Sequence, residues 1–260
     1  MARVLSALVL LPLVIGAVWF LPPVATLALA SVAALLAFTE YAAIGAALGT
    51  HVPRVLTGAA VLAACVSVGI GSGAVDVVLM TSVIVIGALA VASGQPGPAI
   101  LRDAAASALP VAYIGLPLGA LAAVRVTSGR EAVLLLMAVI VVSDSAQYYT
   151  GRAFGRRPLA PTISPKKTVE GAVGGVVFGT LAMAVGGRWV FESPVWALAL
   201  LGAVISLLGI VGNLFESLLK RSAGIKDSSH LIPGHGGVLD RIDSWLFAAP
   251  VYYVFVRFFA

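Results

Sequence analysis

The chain has 260 residues, of which 60% are hydrophobic and 10% are charged, and its mean hydropathy is +1.08. This composition excludes a soluble globular domain and favours a protein whose surface faces lipid. Sixteen Lys and Arg against eleven Asp and Glu give a net charge of +5, which favours anionic partners such as lipid headgroups. We expect a lipid bilayer and no nucleic acid among the partners.

Apolar runs recur along the chain at about the 20-residue length that a bilayer core requires. Backbone inside a bilayer must satisfy its own hydrogen bonds, so these runs predict helices. We therefore predict an all-α polytopic membrane protein with about nine transmembrane helices in one bundle. The predicted spans are 4–21, 24–47, 53–71, 75–94, 104–124, 131–151, 170–187, 194–216 and 237–257.

No polar linker divides the sequence, so we predict a single integral membrane domain over 1–260. Its N-terminal spans occupy roughly 1–130 and its motif-bearing part roughly 131–260. The single cysteine, Cys65, lies within an apolar run and is interpreted as a small buried side chain.

The basic residues predict the orientation of the spans. With nine spans, the N-terminus and the even-numbered connections share one side, and that side carries twelve of the sixteen Lys and Arg. By the positive-inside rule this side is cytoplasmic. We expect a cell inner (plasma) membrane protein with a cytoplasmic N-terminus, a cytoplasmic-face active site and a C-terminus outside.

Two acids interrupt apolar runs. Glu40 lies in the second span, and two interpretations stay open: contact with a headgroup or active site, or a buried pair. Asp144 lies near the end of the sixth span and shares a helix face with Gln147 and Tyr148. For Asp144 a substrate or metal role is favoured over a structural pair with Arg152.

The connection after the sixth span is rich in basic residues. Ser164-Pro-Lys-Lys-Thr168 precedes the next predicted helix, where backbone N–H groups and the helix dipole favour an anion. A basic loop that only obeys topology would look similar. The glycines that follow are interpreted as helix-packing positions rather than ligand contacts: Gly171, Gly174, Gly175 and Gly179.

The end of the eighth span carries a polar stripe. Asn213, Glu216, Ser217 and Lys220 fall at offsets 0, 3, 4 and 7, which places them on one helix face. The alternative for Glu216 is an ordinary surface pair with Lys220, worth about 0.3 kcal/mol.

Seven of the 27 charged residues lie between 217 and 243, beside a Pro-Gly-His-Gly-Gly turn. Asp240 and Asp243 are three residues apart and repel each other unless a cation lies nearby, and Mg²⁺ prefers such oxygen ligands. The alternative is a salt bridge with Arg241 or another base. His235, between two glycines, is a candidate for phosphate contact or proton transfer.

These residues resemble the signature of the phosphatidate cytidylyltransferase (CDP-diacylglycerol synthase) family, S-x-x-K-R-x4-K-D-x4-[hydrophobic]-P-G-H-G-G-x-x-D-R-x-D. The segment from Ser164 to Gly171 resembles a second family motif. Every fixed signature position is filled here, by Ser217, Lys220, Arg221, Lys226, Asp227, Pro233, Gly234, His235, Gly236, Gly237, Asp240, Arg241 and Asp243.

The resemblance implies the reaction of CTP with phosphatidate to give CDP-diacylglycerol and pyrophosphate in phospholipid biosynthesis, with Mg²⁺ and, at the level of the family, a second, monovalent cation. It implies metal ligands among Asp240, Asn213 and Asp144. The implied catalytic residues are Asp240, Asp243, Lys226, His235 and Arg241. The implied substrate-binding residues are Ser164, Lys166, Lys167, Thr168, Ser217, Lys220, Arg221 and Asp227. A homodimer through the glycine-rich spans is a further hypothesis.

One departure matters for the metal. The family usually has Gly-Asp where this chain has Gly212-Asn213, and an amide oxygen coordinates without bringing charge. A catalytically impaired member that binds lipid or nucleotide is therefore the main alternative. A transporter is a weaker one, because its ionisable groups would be expected near the bilayer midplane rather than at one face.

Overall fold

The computed structural model describes residues 2–94, 96–229, 231 and 236–260, with the side chains of residues 2–10 left out. Helices dominate it. They are α1 (Ala2–Phe20), α2 (Pro23–Ala47), α3 (Arg54–Gly69), α4 (Val75–Ala92), α5 (Ala99–Pro110), a π-helical turn (Val111–Gly115), α6 (Leu116–Phe154), α7 (Val169–Gly186), a 3₁₀ turn (Gly187–Trp189), α8 (Val195–Ser222) and α9 (Leu239–Phe258).

Within the described ranges, five helical stretches are long and apolar enough to cross a membrane. They are Pro23–Ala47, Val75–Ala92, Ala99–Phe154, Val169–Trp189 and Val195–Ser222. Leu11–Phe20 and Arg54–Gly69 are apolar but shorter. The chain is thus a helical, multi-pass membrane protein, while the total of nine spans stays a prediction.

The stretch Ala99–Phe154 is 56 residues long, which at 1.5 Å per residue would reach about 84 Å, well beyond one bilayer core. It is interrupted at Gly129, whose φ of 83° and ψ of −177° lie outside helical geometry. Glycine adopts this positive φ without a steric penalty. The interruption falls between the predicted spans 104–124 and 131–151.

The chain forms two compact units. Unit 1 comprises Met1–Val126 and Ser222–Arg241, and unit 2 comprises Thr127–Arg221 and Ile242–Ala260. The single-domain interpretation of the sequence stays a prediction. In unit 1, α3 packs against α2, α4 and the π-helical turn. Gly115 allows that approach, since a Cβ there would lie 2.7 Å from the Val61 carbonyl oxygen.

Unit 2 contains a feature that the all-α prediction lacked, a small antiparallel hairpin of β1 (Pro158–Ala160) and β2 (Ser164–Thr168). The two strands lie in the basic connection after α6, and β2 leads directly into α7. Both predicted lysines of this connection, Lys166 and Lys167, are therefore on a strand rather than in an open loop.

The glycines of α7 pack against neighbouring helices, which confirms their interpretation from sequence. A Cβ at Gly171 would lie 2.7 Å from the Gln147 carbonyl oxygen of α6, and one at Gly174 would overlap the Thr150 side chain. A Cβ at Gly179 would meet the Ser206 hydroxyl of α8. Because glycine has no side chain, α7 lies close to the part of α6 that carries Asp144.

Candidate functional site

The hairpin brings a lysine to the polar stripe of α8. The Lys167 Nζ atom donates a hydrogen bond to the Asn213 Oδ1 atom at 2.6 Å, although the two residues are 46 positions apart. Both side chains are half-buried, whereas the neighbouring Lys166 is exposed. Neighbouring residues of a strand point to opposite faces, and of these two it is Lys167 that contacts α8.

Three carboxylates lie within electrostatic range of the Lys167 ammonium. They belong to Asp243 on α9, Asp144 on α6 and Glu216 on α8. Asp243 is 6% exposed, and its Oδ1 atom accepts a hydrogen bond from the Ser244 backbone N–H at 2.6 Å. The Ser244 side chain lies beside Asp144. Residues from three helices and the hairpin thus meet within unit 2.

Asp144 does not form the structural pair with Arg152 that was the alternative to a substrate or metal role. Its neighbours are Lys167 and Ser244, and the Arg152 guanidinium instead donates to the Tyr148 hydroxyl at 3.5 Å. The arrangement favours the interpretation of Asp144 as part of a site, and its ligand stays a prediction.

Glu216 and Lys220 form the i,i+4 pair expected from their spacing, with an Oε2–Nζ distance of 2.5 Å. It is not a surface pair, because Glu216 is 1% exposed and Lys220 is 9% exposed. Charges removed from water lose hydration that a single partner only partly replaces. A buried pair beside Lys167 therefore has more effect on a bound anion than an exposed pair would have.

Burial lowers the pKa of Lys167, and the charges of Asp243, Asp144 and Glu216 act against this by raising it. Burial has the larger effect, because an ammonium without its water shell is destabilised relative to the neutral amine. A phosphate bound beside Lys167 would favour its charged form.

The connection between α6 and α7 is fastened by Glu170, in the first turn of α7. Its Oε2 atom accepts hydrogen bonds from the backbone N–H groups of Arg156 and Arg157, and its Oε1 atom pairs with the Arg157 guanidinium at 3.0 Å. Thr168 caps the same helix, since its hydroxyl accepts from the Gly171 N–H at 3.1 Å. Both contacts orient β2, and the predicted substrate contact of Thr168 stays a prediction.

In unit 1, Asp240 accepts hydrogen bonds from residues close to it in the sequence. Its Oδ2 atom accepts hydrogen bonds from the Gly237 N–H at 2.7 Å, the Ser228 N–H at 3.0 Å and the Ser228 hydroxyl at 2.9 Å. Gly236 has a φ of 78°, and a Cβ there would overlap the same Oδ2 atom. One oxygen of Asp240 therefore holds the start of α9 to the segment before it.

Glu40 is the residue whose role sequence reasoning left most open. It lies on α2, is 5% exposed, and its two carboxylate oxygens accept four hydrogen bonds from residues 228–239. Among the described residues, these partners are hydroxyl and backbone N–H groups, and the choice between the two interpretations stays a prediction. An acid inside an otherwise apolar span was the available signal; its partners were not readable.

The remaining predicted residues are distributed over both units. Lys226, Asp227 and Arg241 are exposed in unit 1, and Ser164 and Ser217 are half-buried in unit 2. Arg221 donates to the Ile163 carbonyl oxygen of the hairpin at 3.4 Å. His235, together with Pro233 and Gly234, lies outside the described residues, and its role stays a prediction.

The residues of unit 2 fit a magnesium ion in part. Asp144 and Asp243 are close enough for each charge to act on the other, a repulsion that a cation relieves. Among the residues that the structure describes, no three His, Cys, Asp or Glu side chains form a metal-binding group. Mg²⁺ is commonly held by one or two carboxylates together with substrate phosphates, which matches this pair.

The other two predicted ligands are engaged by hydrogen bonds. The Asn213 Oδ1 atom accepts from Lys167, although an amide oxygen has a second lone pair. Asp240 belongs to unit 1, where its Oδ2 atom has three donors. Metal binding by Asn213 and Asp240, and the monovalent cation, stay predictions.

The helices are apolar and several are long enough to span a membrane, which defines a polytopic membrane protein. It has a polar site, where basic and acidic side chains gather on α6, α8, α9 and a short hairpin. The chain belongs to the cytidylyltransferase family, whose family model matches residues 1–259. This confirms the resemblance noted from the signature segment.

Individual relatives agree with that membership. The chain is 47% identical over 131 residues to a phosphatidate cytidylyltransferase of Synechocystis sp., covering 50% of this chain and 44% of that protein. It is 39% identical over 150 residues to one of Staphylococcus saprophyticus, covering 57% of each. A Helicobacter pylori relative of the same name is 41% identical over 141 residues, covering 54% of this chain and 53% of that protein. The chain thus spans about half the length of the curated relatives it matches.

Proposed function

We propose that this protein is a phosphatidate cytidylyltransferase that converts CTP and phosphatidate into CDP-diacylglycerol and pyrophosphate in phospholipid biosynthesis. A phosphate oxygen of the lipid attacks the α-phosphorus of CTP, a P–O bond forms, and the bond to the pyrophosphate leaving group breaks. The cluster of Lys167, Asp144 and Asp243 within unit 2 carries the proposal. Relatives named for this reaction support it.

Both substrates are anionic, so the main task of the protein is to bring their phosphates together against mutual repulsion. Lys167 and Lys220 supply positive charge from β2 and α8, and each is already held by a hydrogen bond or ion pair. Such preorganised charges need little rearrangement when the substrate binds. Lys166 and Arg221 of the same unit are proposed to complete these phosphate contacts, and the phosphate roles of Lys226 and Arg241 in unit 1 stay predictions.

We assign Asp144 and Asp243 as the carboxylates that would hold Mg²⁺, with Asn213 of the same unit as a further candidate, while the metal role of Asp240 stays a prediction. When bound, the ion neutralises charge on the triphosphate and on the leaving pyrophosphate. Asp243 is buried and held by the Ser244 N–H, so its position is set before any ligand arrives.

The proposed location is the cell inner (plasma) membrane, with the N-terminus and the active site on the cytoplasmic side and the C-terminus outside. Twelve of the sixteen Lys and Arg lie on the proposed cytoplasmic side, which supports this orientation. The active site then faces the compartment that contains CTP. A homodimer stays a prediction.

The proposal is tested by pyrophosphate release from detergent-purified protein given CTP, phosphatidate and Mg²⁺. We expect release that requires the lipid, stops on metal chelation and falls at least about 100-fold in Asp240→Ala. Because alanine also removes three hydrogen bonds, Asp240→Asn is measured in parallel. Asp76→Asn, an exposed acid on α4, serves as the matched control.

Asn213→Asp distinguishes the two main interpretations. Release from the parent protein means that Asn213 is a tolerated residue of the site. No release from the parent but recovery in Asn213→Asp means a family member with an impaired metal site. If neither protein releases pyrophosphate, the reaction is wrong for this chain, and binding of labelled CTP or phosphatidate then tests the non-catalytic alternative.

A further inference from the structure

Glu40 connects α2 to a segment about 190 residues further along the chain. Its Oε2 atom accepts hydrogen bonds from the Ser228 hydroxyl at 2.8 Å and the Leu239 N–H at 2.8 Å. Its Oε1 atom accepts from the Ser229 hydroxyl at 2.7 Å and the Val238 N–H at 2.9 Å. Each oxygen thus takes one donor from residues 228–229 and one from residues 238–239.

This pattern holds together the two ends of the sequence that contains Pro-Gly-His-Gly-Gly. Val238 and Leu239 stand at the start of α9, whose first N–H groups have no partner within the helix. A carboxylate placed there satisfies two of them and interacts favourably with the helix dipole. Glu40 therefore acts as an N-terminal cap supplied by a different helix.

Gly237 gives a second, independent reason to connect Glu40 with the signature. A Cβ atom at this position would overlap both carboxylate oxygens of Glu40 and the Ser228 hydroxyl. Only glycine leaves room for the carboxylate at this point. The second glycine of the Gly236-Gly237 pair is thus explained by a residue on α2, outside the signature.

Ser228 extends the connection to Asp240. The single proton of its hydroxyl is shared between Glu40 Oε2, at 2.8 Å, and Asp240 Oδ2, at 2.9 Å, while its N–H donates to Asp240. A shift of Glu40 would therefore move the Ser228 contact of Asp240 and the first turn of α9 together.

We propose that Glu40 is a positioning residue for the phosphate-handling signature: it anchors residues 228–229 and 238–239 and so holds Asp240 in place for catalysis. The catalytic part of this inference rests on the proposed cytidylyltransferase function, whereas the anchoring part does not. Glu40 itself is not proposed to contact the reacting atoms.

The anchoring is tested by hydrogen–deuterium exchange on the full chain in detergent. In Glu40→Gln, one acceptor oxygen is replaced by an NH₂ group that cannot accept a hydrogen bond. We expect amide exchange in residues 226–229 and 236–241 to rise at least about tenfold, since exchange follows local opening. Exchange in the hairpin at 158–168 should not change in Glu40→Gln. In the control variant Glu192→Gln, which alters an exposed acid, exchange in residues 226–229 and 236–241 should stay at the parent level.

The positioning role is tested by the kinetics of the same proteins, expressed per folded molecule. We expect kcat to fall by roughly 10- to 100-fold in Glu40→Gln, because small displacements of a reacting group have effects of this size. The KM for CTP should change by less than about threefold. Glu40→Asp keeps the charge and should recover part of kcat; a purely structural role would change the yield of folded protein and leave kcat unaltered.

Ser229→Ala is a milder second variant, since it removes only one donor to Glu40 and leaves the Ser228 contact with Asp240 in place. Its effect on kcat should be non-additive with that of Glu40→Gln. This variant keeps the inference testable if Glu40→Gln does not fold.

Each outcome decides one part of the proposal. Unchanged exchange in residues 226–229 and 236–241 of Glu40→Gln overturns the anchor. Increased exchange with an unaltered kcat overturns the positioning role. If the parent protein releases no pyrophosphate, the proposed function is wrong, and so is the positioning role, which depends on it. The anchoring role is then decided by the exchange data alone.

Discussion

At the scale of single residues, the two adjacent lysines of β2 have different surroundings. Lys167 lies against Asn213 and near the acids of α6 and α9, whereas Lys166 is exposed. Sequence reasoning treated the two lysines alike, because the pleat of a strand that it did not predict separates them. The two lysines are therefore expected to contribute unequally to the binding of an anion in unit 2.

This difference gives a prediction for Lys167→Met and Lys166→Met, which remove charge while keeping much of the side-chain length. We expect kcat/KM for CTP to fall roughly 100- to 1,000-fold in Lys167→Met, as on loss of one preorganised donor to a developing charge. Lys166→Met should lose less than about threefold. Steady-state pyrophosphate release measures both, and equal losses in the two variants would contradict the assignment.

At the scale of elements, α7 depends on close contact without side chains. Its buried glycines face Ser143, Gln147 and Thr150 of α6, and Gly179 faces Ser206 of α8. The cap by Thr168 sets where the helix begins. The same packing places β2, and with it Lys167, at the end of α7, so the geometry of the site depends on the helix contact.

Gly174→Ala should therefore destabilise the protein. The added methyl group would overlap the Thr150 side chain, and overpacking of this kind costs about 1–3 kcal/mol. Gly87→Ala on α4 is the matched control, because no atom lies within 4 Å of its added Cβ. Helix propensity alone makes that control neutral or more stable by up to about 1 kcal/mol. Thermal unfolding in detergent compares them, and equal melting temperatures would refute the packing argument.

At the scale of the whole molecule, the charge distribution predicts how the chain lies in the membrane. The basic connection between α6 and α7 and the one between α7 and α8 belong to opposite sides of the predicted topology. Positive residues are concentrated on the first of these sides. Because the proposed site includes Lys167 from the first connection, its orientation decides whether cytoplasmic CTP can reach it.

Cysteine labelling in cells tests this orientation. The native Cys65 is buried, and Cys65→Ser supplies a background without thiols. In that background, Arg156→Cys and Glu192→Cys place exposed thiols in the two connections. In cells whose outer membrane or cell wall has been permeabilised, a membrane-impermeant thiol reagent should label position 192. Position 156 should be labelled only after lysis. The reverse pattern would overturn the proposed topology.

The sequence alone was sufficient for the class of protein, the approximate helices and the family. Each of these is local information, since hydropathy within about 20 residues predicts a span and the residues from Ser217 to Asp243 carry the signature in one stretch. The α8 stripe was also readable, because helical spacing alone puts Glu216 beside Lys220.

Only the tertiary structure decided which distant residues meet. Lys167 reaches Asn213 across 46 positions and Glu40 reaches Ser228 across 188, and neither pairing leaves a periodic pattern in the sequence. Such contacts depend on how closely helices approach, which is decided by the combined packing of many side chains and by the absence of a side chain at Gly174 or Gly237. The residue types of the site can therefore be predicted from the sequence, whereas the contacts that assemble the site depend on the tertiary fold.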